Sequence, residues 1–147
     1  MKNIFHFIGG KEYNGGSERY SDIYNPATGE IQAKVNLANS SEVNHAVSSA
    51  LKAFQEWSNT PPISRARILF KFKELIEKNY DSLTKLIVLE HGKVYDDAKG
   101  SLTRGLEVVE FSCGIPHLLK GEFTENVGKD VDSWSSRQPL GVCAGIT

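Results

Sequence analysis

The chain has 147 residues, 39% hydrophobic and 24% charged, with 17 Lys+Arg against 18 Asp+Glu. That is enough chain for a globular domain with a core of its own, and a net charge of −1 excludes a general electrostatic hold on nucleic acid or an anionic membrane. No apolar run approaches the length needed to span a bilayer, and the N-terminus, MKNIFHFIGGKEYNGG, lacks the continuous hydrophobic stretch of a signal peptide.

In chain order, residues 5–8 and 11–13 flank Gly9-Gly10, the pattern of a small hairpin with glycines supplying the turn. Residues 19–24 and 30–35 are two further extended runs. Asn25-Pro-Ala-Thr-Gly29 between them is turn chemistry, with Pro presetting φ and Gly accepting the left-handed end. Asn39 or Ser40 can then cap a helix, with Glu42 in its first turn to favour the dipole. Val43, Ala46, Val47, Ala50, Leu51, Phe54 and Trp57 give that helix one apolar stripe, and Thr60-Pro-Pro62 stops it. A second helix is expected from Ser64, with Ile68, Leu69, Phe72, Leu75 and Ile76 inward. Asp81 is expected to cap a third, carrying Leu83, Leu86, Ile87 and Leu89 and ending at Gly92. A fourth runs from about Tyr95 to Cys113 with Ala98, Leu102, Leu106 and Val109 inward, and Pro116 closes it.

After Gly121 the pattern turns polar. Residues 122–138, with Val127, Val131 and Trp134 spaced along them, read as an exposed ribbon that needs a partner to bury it. Residues 140–146 are apolar apart from their glycines and follow Pro139. They read as a strand buried on both faces of a parallel sheet, whose carboxyl end would face a ligand.

The chemistry-bearing residues are sparse. His6, His45, His91 and His117 share no metal-ligand spacing with each other or with a Cys or carboxylate, so no metal is expected. Arg65, Arg67, Lys71 and Lys73 read as a solvated helix face, because no aromatic residues are available beside them for stacking on bases. Cys113, near a helix C-terminus, and Cys143, inside an apolar strand, both read as buried structural thiols. Two isolated thiols suit a reducing compartment, the cytoplasm or, in a eukaryote, the mitochondrial matrix. Glu107 and Glu110 read as helix-surface charges. Arg104 reads as a surface arginine paired with one of them, although Gly105 beside it leaves room for a ligand. No Walker motif, dinucleotide glycine loop or nucleophile elbow is present.

Several stretches, in order and spacing, resemble the aldehyde dehydrogenase superfamily: FIGGKEY, YNPATGEIQAKV, the capped helix ending in AFQEW, RARILFKFKELIEKN and EHGK. EHGKVYDDAKGSLTRGLEVVEFSCGIPHLLKGE, residues 90–122, is more specific. It is similar to the CoA-acylating branch of that family, which oxidises malonate or methylmalonate semialdehyde with NAD.

The resemblance implies an α/β architecture, the N-terminal part of the aldehyde dehydrogenase fold. Residues 1–121 would supply short strands and a four-helix layer of the NAD-binding domain, 122–138 an oligomerisation ribbon, and 139–147 the first strand of a Rossmann-like sheet. It also implies roles. Backbone at Ile146 and Thr147 would line the NAD site, and Arg104 would hold the substrate carboxylate. The family's oxyanion asparagine, catalytic cysteine and general-base glutamate would all fall beyond Thr147, so the chain alone is expected to be inactive, with no catalytic residue of its own. Function in the intact enzyme would be NAD-dependent oxidation of a semialdehyde to acyl-CoA within a homo-oligomer. Two other readings stay open: a non-catalytic module that associates through its ribbon, and an aldehyde dehydrogenase that does not use CoA.

Overall fold

The computed structural model describes residues 2–147, and its chain enters on a strand outside the expected set, β1 (Lys2–Ile4). Three residues carry no readable alternation. They are extended because they add in parallel to the edge of a later strand, with Lys2 opposite Ala33. The expected hairpin follows: β2 (His6–Ile8) pairs antiparallel with β3 (Lys11–Tyr13), and Gly9 and Gly10 turn between them at φ of 63° and 79°. Positive φ at both central positions matches the twist of the flanking strands.

β4 (Tyr20–Tyr24) and β5 (Ile31–Asn36) pair antiparallel, and with β1 they form a three-stranded sheet in the order β1-β5-β4. Their connection behaves as its chemistry demands. The Asn25 side chain accepts from the Ala27 N–H at 2.9 Å, and Gly29 takes φ 75°. The central strand is the buried one, at Ala33 and Asn36.

Helix α1 (Ser40–Trp57) begins at a capping box. Asn39 Oδ1 accepts from the Glu42 N–H at 3.0 Å, and Glu42 Oε2 accepts from the Asn39 N–H at 2.7 Å, so two orphan donors are satisfied reciprocally. Proline rather than Ser64 opens α2 (Pro62–Lys78), since a residue without an N–H suits the first turn. Asn79 and not Asp81 is the N-cap of α3 (Tyr80–His91), which ends on Gly92 in the left-handed conformation. Asp81 sits in the first turn, paired with Lys85 at 2.6 Å. Then come α4 (Tyr95–Cys113) and the single turn α5 (Ile115–Leu118). Gly114 is the C-cap of α4, and Pro116 lies inside α5.

α4 is the centre of the helical layer and packs on both α2 and α3. Ala98, at 0% exposure, and Cys113 are buried, and Leu102, Leu106 and Val109 are half-buried on the same face, as their spacing predicts. α2 answers with Ala66, Leu69 and Ile76, and with Lys73, whose ammonium bridges Glu77 on its own helix and Glu110 of α4 at 3.2 Å. Both carboxylates raise the Lys73 pKa, Glu77 most. Tyr80 of α3 donates to the Lys99 carbonyl of α4 at 2.9 Å. Tyr95 of α4 donates to Asp81 of α3 at 2.5 Å.

Several residues expected inward point to solvent. Ile68, Phe72, Leu75, Leu86 and Leu89 are exposed, as are Val43, Val47, Leu51 and Trp57 along α1. The stripe on α1 is present, but no other helix packs substantially against it, so Leu51 keeps 55% exposure. The total accessible area is 11457 Å², where a compact monomer of this mass exposes about 7,500 Å². The surplus is roughly 4,000 Å² by that scaling, and the exposed apolar faces, the ribbon and the segment after it all contribute to it.

β6 (Phe123–Gly128) and β7 (Val131–Trp134) form the expected ribbon. Asn126 and Asp130 take positive φ of 51° and 59°, and the register shifts between Thr124 and Gly128. Every residue of the ribbon is exposed, Phe123 and its cross-strand partner Trp134 included.

The expected strand at 140–146 is not formed. Residues 139–147 have no ladder partner and carry no strand assignment. A strand without a neighbour leaves its N–H and C=O groups to water, and nothing here fixes it in extended form. The same fact corrects Cys143, which is exposed, whereas Cys113 is buried as expected.

Candidate functional site

Arg104 lies on the third turn of α4, exposed. The expected pairing with Glu107 or Glu110 does not occur. Glu110 is bound to Lys73, and among the described residues Arg104 has no ion pair. Its Nη2 instead donates to Ser101 Oγ at 3.1 Å, one turn back. Lys93, in the loop before α4, donates to the same oxygen at 3.0 Å, and the Ser101 hydroxyl donates to the Asp97 carbonyl at 3.2 Å. One hydroxyl thus holds two cations in register, and among the described residues neither has a carboxylate to neutralise it.

Geometry explains why the cluster forms. Positions 97, 101 and 104 share one face of α4 at spacings of four and three. Gly92 ends α3 at φ 75°, turning the chain so that Lys93 reaches back toward that face. Two like charges this close repel each other, and an anion placed between them would relieve the repulsion. The guanidinium fork suits a carboxylate in bidentate geometry, and the Lys93 ammonium adds a second point charge. Lys93 stood in view within EHGK, but no sequence signal tied it to Ser101, eight residues on. Gly105 meets nothing within 4 Å of where a Cβ would sit, so this side of α4 is open.

Ile146 and Thr147 are not brought to that cluster. Both are exposed, Ile146 at 102%, and no hydrogen bond among the described residues links them to Arg104. Cys143 lines an apolar groove with Ala50, Ala53, Phe54 and Trp57 of α1, with a volume of about 270 Å³. No base or cation lines that groove, so nothing there activates the thiol. Among the described residues no three His, Cys, Asp or Glu side chains are grouped to hold a metal, and no helix is long and apolar enough to cross a membrane.

The sequence model of the Aldehyde dehydrogenase family matches residues 13–147. The chain is similar to the malonate-semialdehyde dehydrogenase of Pseudomonas aeruginosa, at 47% identity over 147 residues, covering 100% of this chain and 29% of that protein. It is similar to the mitochondrial, acylating methylmalonate-semialdehyde dehydrogenase of Arabidopsis thaliana, at 48% identity over 141 residues, covering 96% of this chain and 23% of that one. Among solved structures, a methylmalonate-semialdehyde dehydrogenase from Oceanimonas doudoroffii matches with a TM-score of 0.89 and 48% identity, over 95% of this chain and 28% of that one. A Sinorhizobium meliloti protein assigned to the same group and solved with NAD matches with a TM-score of 0.90 and 50% identity, over 96% of this chain and 29% of that one. The chain therefore spans less than a third of the length of these relatives.

Proposed function

The chain belongs to the aldehyde dehydrogenase family, and on that premise we propose that it is the N-terminal part of an NAD-dependent, CoA-acylating dehydrogenase of malonate or methylmalonate semialdehyde. The observation that carries the reading is identity of 47% and 48% along nearly the whole chain to enzymes of those names. The Lys93–Ser101–Arg104 cluster supports it. Both semialdehydes carry a carboxylate next to the reacting end, and the cluster offers two unneutralised cations on an open helix face.

In that role Arg104 grips the substrate carboxylate, Ser101 fixes the guanidinium's direction, and Lys93 adds charge behind it. Such a grip contributes positioning, and it favours acidic aldehydes over neutral ones. The described residues do not themselves build a dinucleotide site. Ile146 and Thr147 would offer only backbone to NAD, and here they sit exposed on a segment that no sheet holds. Among the described residues neither Cys113 nor Cys143 is placed with a base, which supports assigning the covalent step to other parts of the intact enzyme. The setting that fits is the cytoplasm, or the mitochondrial matrix in a eukaryote; the Arabidopsis relative is named as mitochondrial.

The test uses the intact protein that contains these residues. With methylmalonate semialdehyde, NAD and CoA it is expected to yield NADH and acyl-CoA in equal amounts, while the purified 147-residue chain gives no NADH above blank. Free acid in place of acyl-CoA would reassign the protein to a CoA-independent dehydrogenase. Turnover by the chain alone would place the chemistry in these residues and sink the reading.

We also propose that the ribbon joins copies of the chain. Phe123 and Trp134 are directly opposed on one face and uncovered, and an aromatic pair of this kind is a large apolar area to leave in water. Sedimentation at tens of micromolar is expected to give a dimer or larger species. The double substitution Phe123→Ser and Trp134→Ser is expected to return it toward monomer. An unchanged mass in the double variant would exclude the ribbon as the contact.

A further inference from the structure

Helix α4 carries a half-buried glycine at position 100, in its interior, where only proline is a poorer helix former. Nothing within the chain calls for it. Gly100 is not among the residues of positive φ, so the backbone does not require it. Among the described residues a Cβ built there would meet one atom within 4 Å, Arg104 Nη1 at 3.5 Å, an ordinary van der Waals distance. Alanine would therefore fit this chain and make a better helix. Ala98, two residues earlier, is small for a visible reason, since it is fully buried under the neighbouring helices. Gly100 has no such reason.

What the glycine does is leave a space at the guanidinium. Arg104 follows it by four residues, and a long side chain on a helix leans back over the preceding turn. Nη2 is tied to Ser101 Oγ at 3.1 Å, while Nη1 stands beside the missing Cβ. The chemistry of the substrate says what could fill that space. With the carboxylate on the Arg104 fork, the next atom of either semialdehyde is the carbon beside the carboxylate. That carbon is a CH₂ in malonate semialdehyde and carries a methyl group in methylmalonate semialdehyde. The branch is thus one carbon removed from the group that the arginine holds, and it stays near the guanidinium whichever way the aldehyde points. A side chain at position 100 would stand in the same zone.

We propose that Gly100 is a specificity-determining residue: its bare backbone admits a substituent on the carbon beside the substrate carboxylate, so that the intact enzyme takes the branched semialdehyde as well as the unbranched one. The inference rests on the function proposed above and on the role of Arg104 within it.

The test compares kcat/KM for methylmalonate and malonate semialdehyde in the intact protein and in its Gly100→Ala and Gly100→Val variants. Gly100→Ala is expected to lower the value for the branched substrate at least about tenfold, the low end of what one methyl group is worth in a fitted pocket, and for the unbranched one no more than about threefold. Gly100→Val is expected to widen the gap. The thermal midpoint of Gly100→Ala should not fall, because alanine meets only an ordinary contact there and favours the helix. Arg104→Leu, assayed alongside with propanal as the neutral aldehyde, keeps the two claims apart. Should it remove the preference for acidic aldehydes while Gly100→Ala leaves the branched-to-unbranched ratio unchanged, the role of Gly100 falls and the proposed function stands. Should Arg104→Leu weaken acidic and neutral aldehydes alike, the premise itself fails. Equal losses for both semialdehydes in Gly100→Ala would mean that the glycine serves packing against the rest of the enzyme, and a native protein that rejects the branched substrate would likewise overturn the proposal.

Discussion

Replacing Arg104 by leucine is expected, on the function proposed above, to lower kcat/KM of the intact enzyme for methylmalonate semialdehyde by about 10²- to 10³-fold, the range for removing one partner of a hydrogen-bonded charge pair. Propanal, which lacks the carboxylate, should change by no more than about threefold on the same scale. The contrast between substrates is the informative quantity. Arg104 holds only Ser101 in this structure and is exposed, so its loss should leave the thermal midpoint nearly unmoved. Arg104→Lys should fall between, since it keeps a charge but cannot form two parallel bonds to a carboxylate. Parallel losses for both aldehydes would mean that Arg104 shapes the site generally and does not read the acid.

What could be read from the sequence was the local chemistry. The glycine pair of the hairpin, the Asn25–Gly29 turn, the cap at Asn39 with Glu42 in the first turn, and the bounds of α4 all follow from residues within a few positions of each other, and all appear where they were expected, while the reciprocal bond from Glu42 back to the Asn39 N–H was not anticipated. The inner face of α4 was legible too, because that helix lies between two others. Periodicity could not say which apolar faces find a partner. The stripes of α1 and α2 have the same spacing as that of α4, yet Leu51 and Phe72 stay in water. Residues 140–146 have the composition of a buried strand, but a strand is made by its neighbours, and none is present to hold Cys143 inside. At the candidate site Arg104 was identified through the family resemblance. Its link to Lys93 was not, because a shared hydroxyl depends on how the loop after Gly92 folds back.

Acid should unfold the N-terminal half of the chain through one carboxylate. Glu42 is 3% exposed and ties the loop between β3 and β4 to the start of α1 with both of its oxygens. Oε2 accepts from the Asn39 N–H at 2.7 Å, and Oε1 accepts from Gly16 at 2.6 Å and Ser17 at 3.2 Å. Gly15 makes the approach possible: it takes φ 71°, and a methyl group added there would meet the Glu42 carboxylate at 2.0 Å. Asn36 completes the joint, donating to the Ser17 carbonyl at 2.9 Å and bonding His6 Nε2 at 2.9 Å. The Asn39 N–H above all, then those of Gly16 and Ser17 and the field of His6, hold the Glu42 carboxyl below its ordinary value of 4.5. The direction fixes the sign. Folding favours the ionised form, so the contribution is complete above pH 4.5 and is lost as pH falls from there through the lower folded value. The urea midpoint should therefore drop steeply below that pH. Glu42→Gln turns an NH₂ toward backbone donors, so it should lower the midpoint at neutral pH and flatten the acid slope. Asn39→Ala removes one cap bond, costing about 0.5–2 kcal/mol, and should keep the slope. If Glu42→Gln retains the full acid slope, another carboxylate governs the transition and the joint at Glu42 is not what acid breaks.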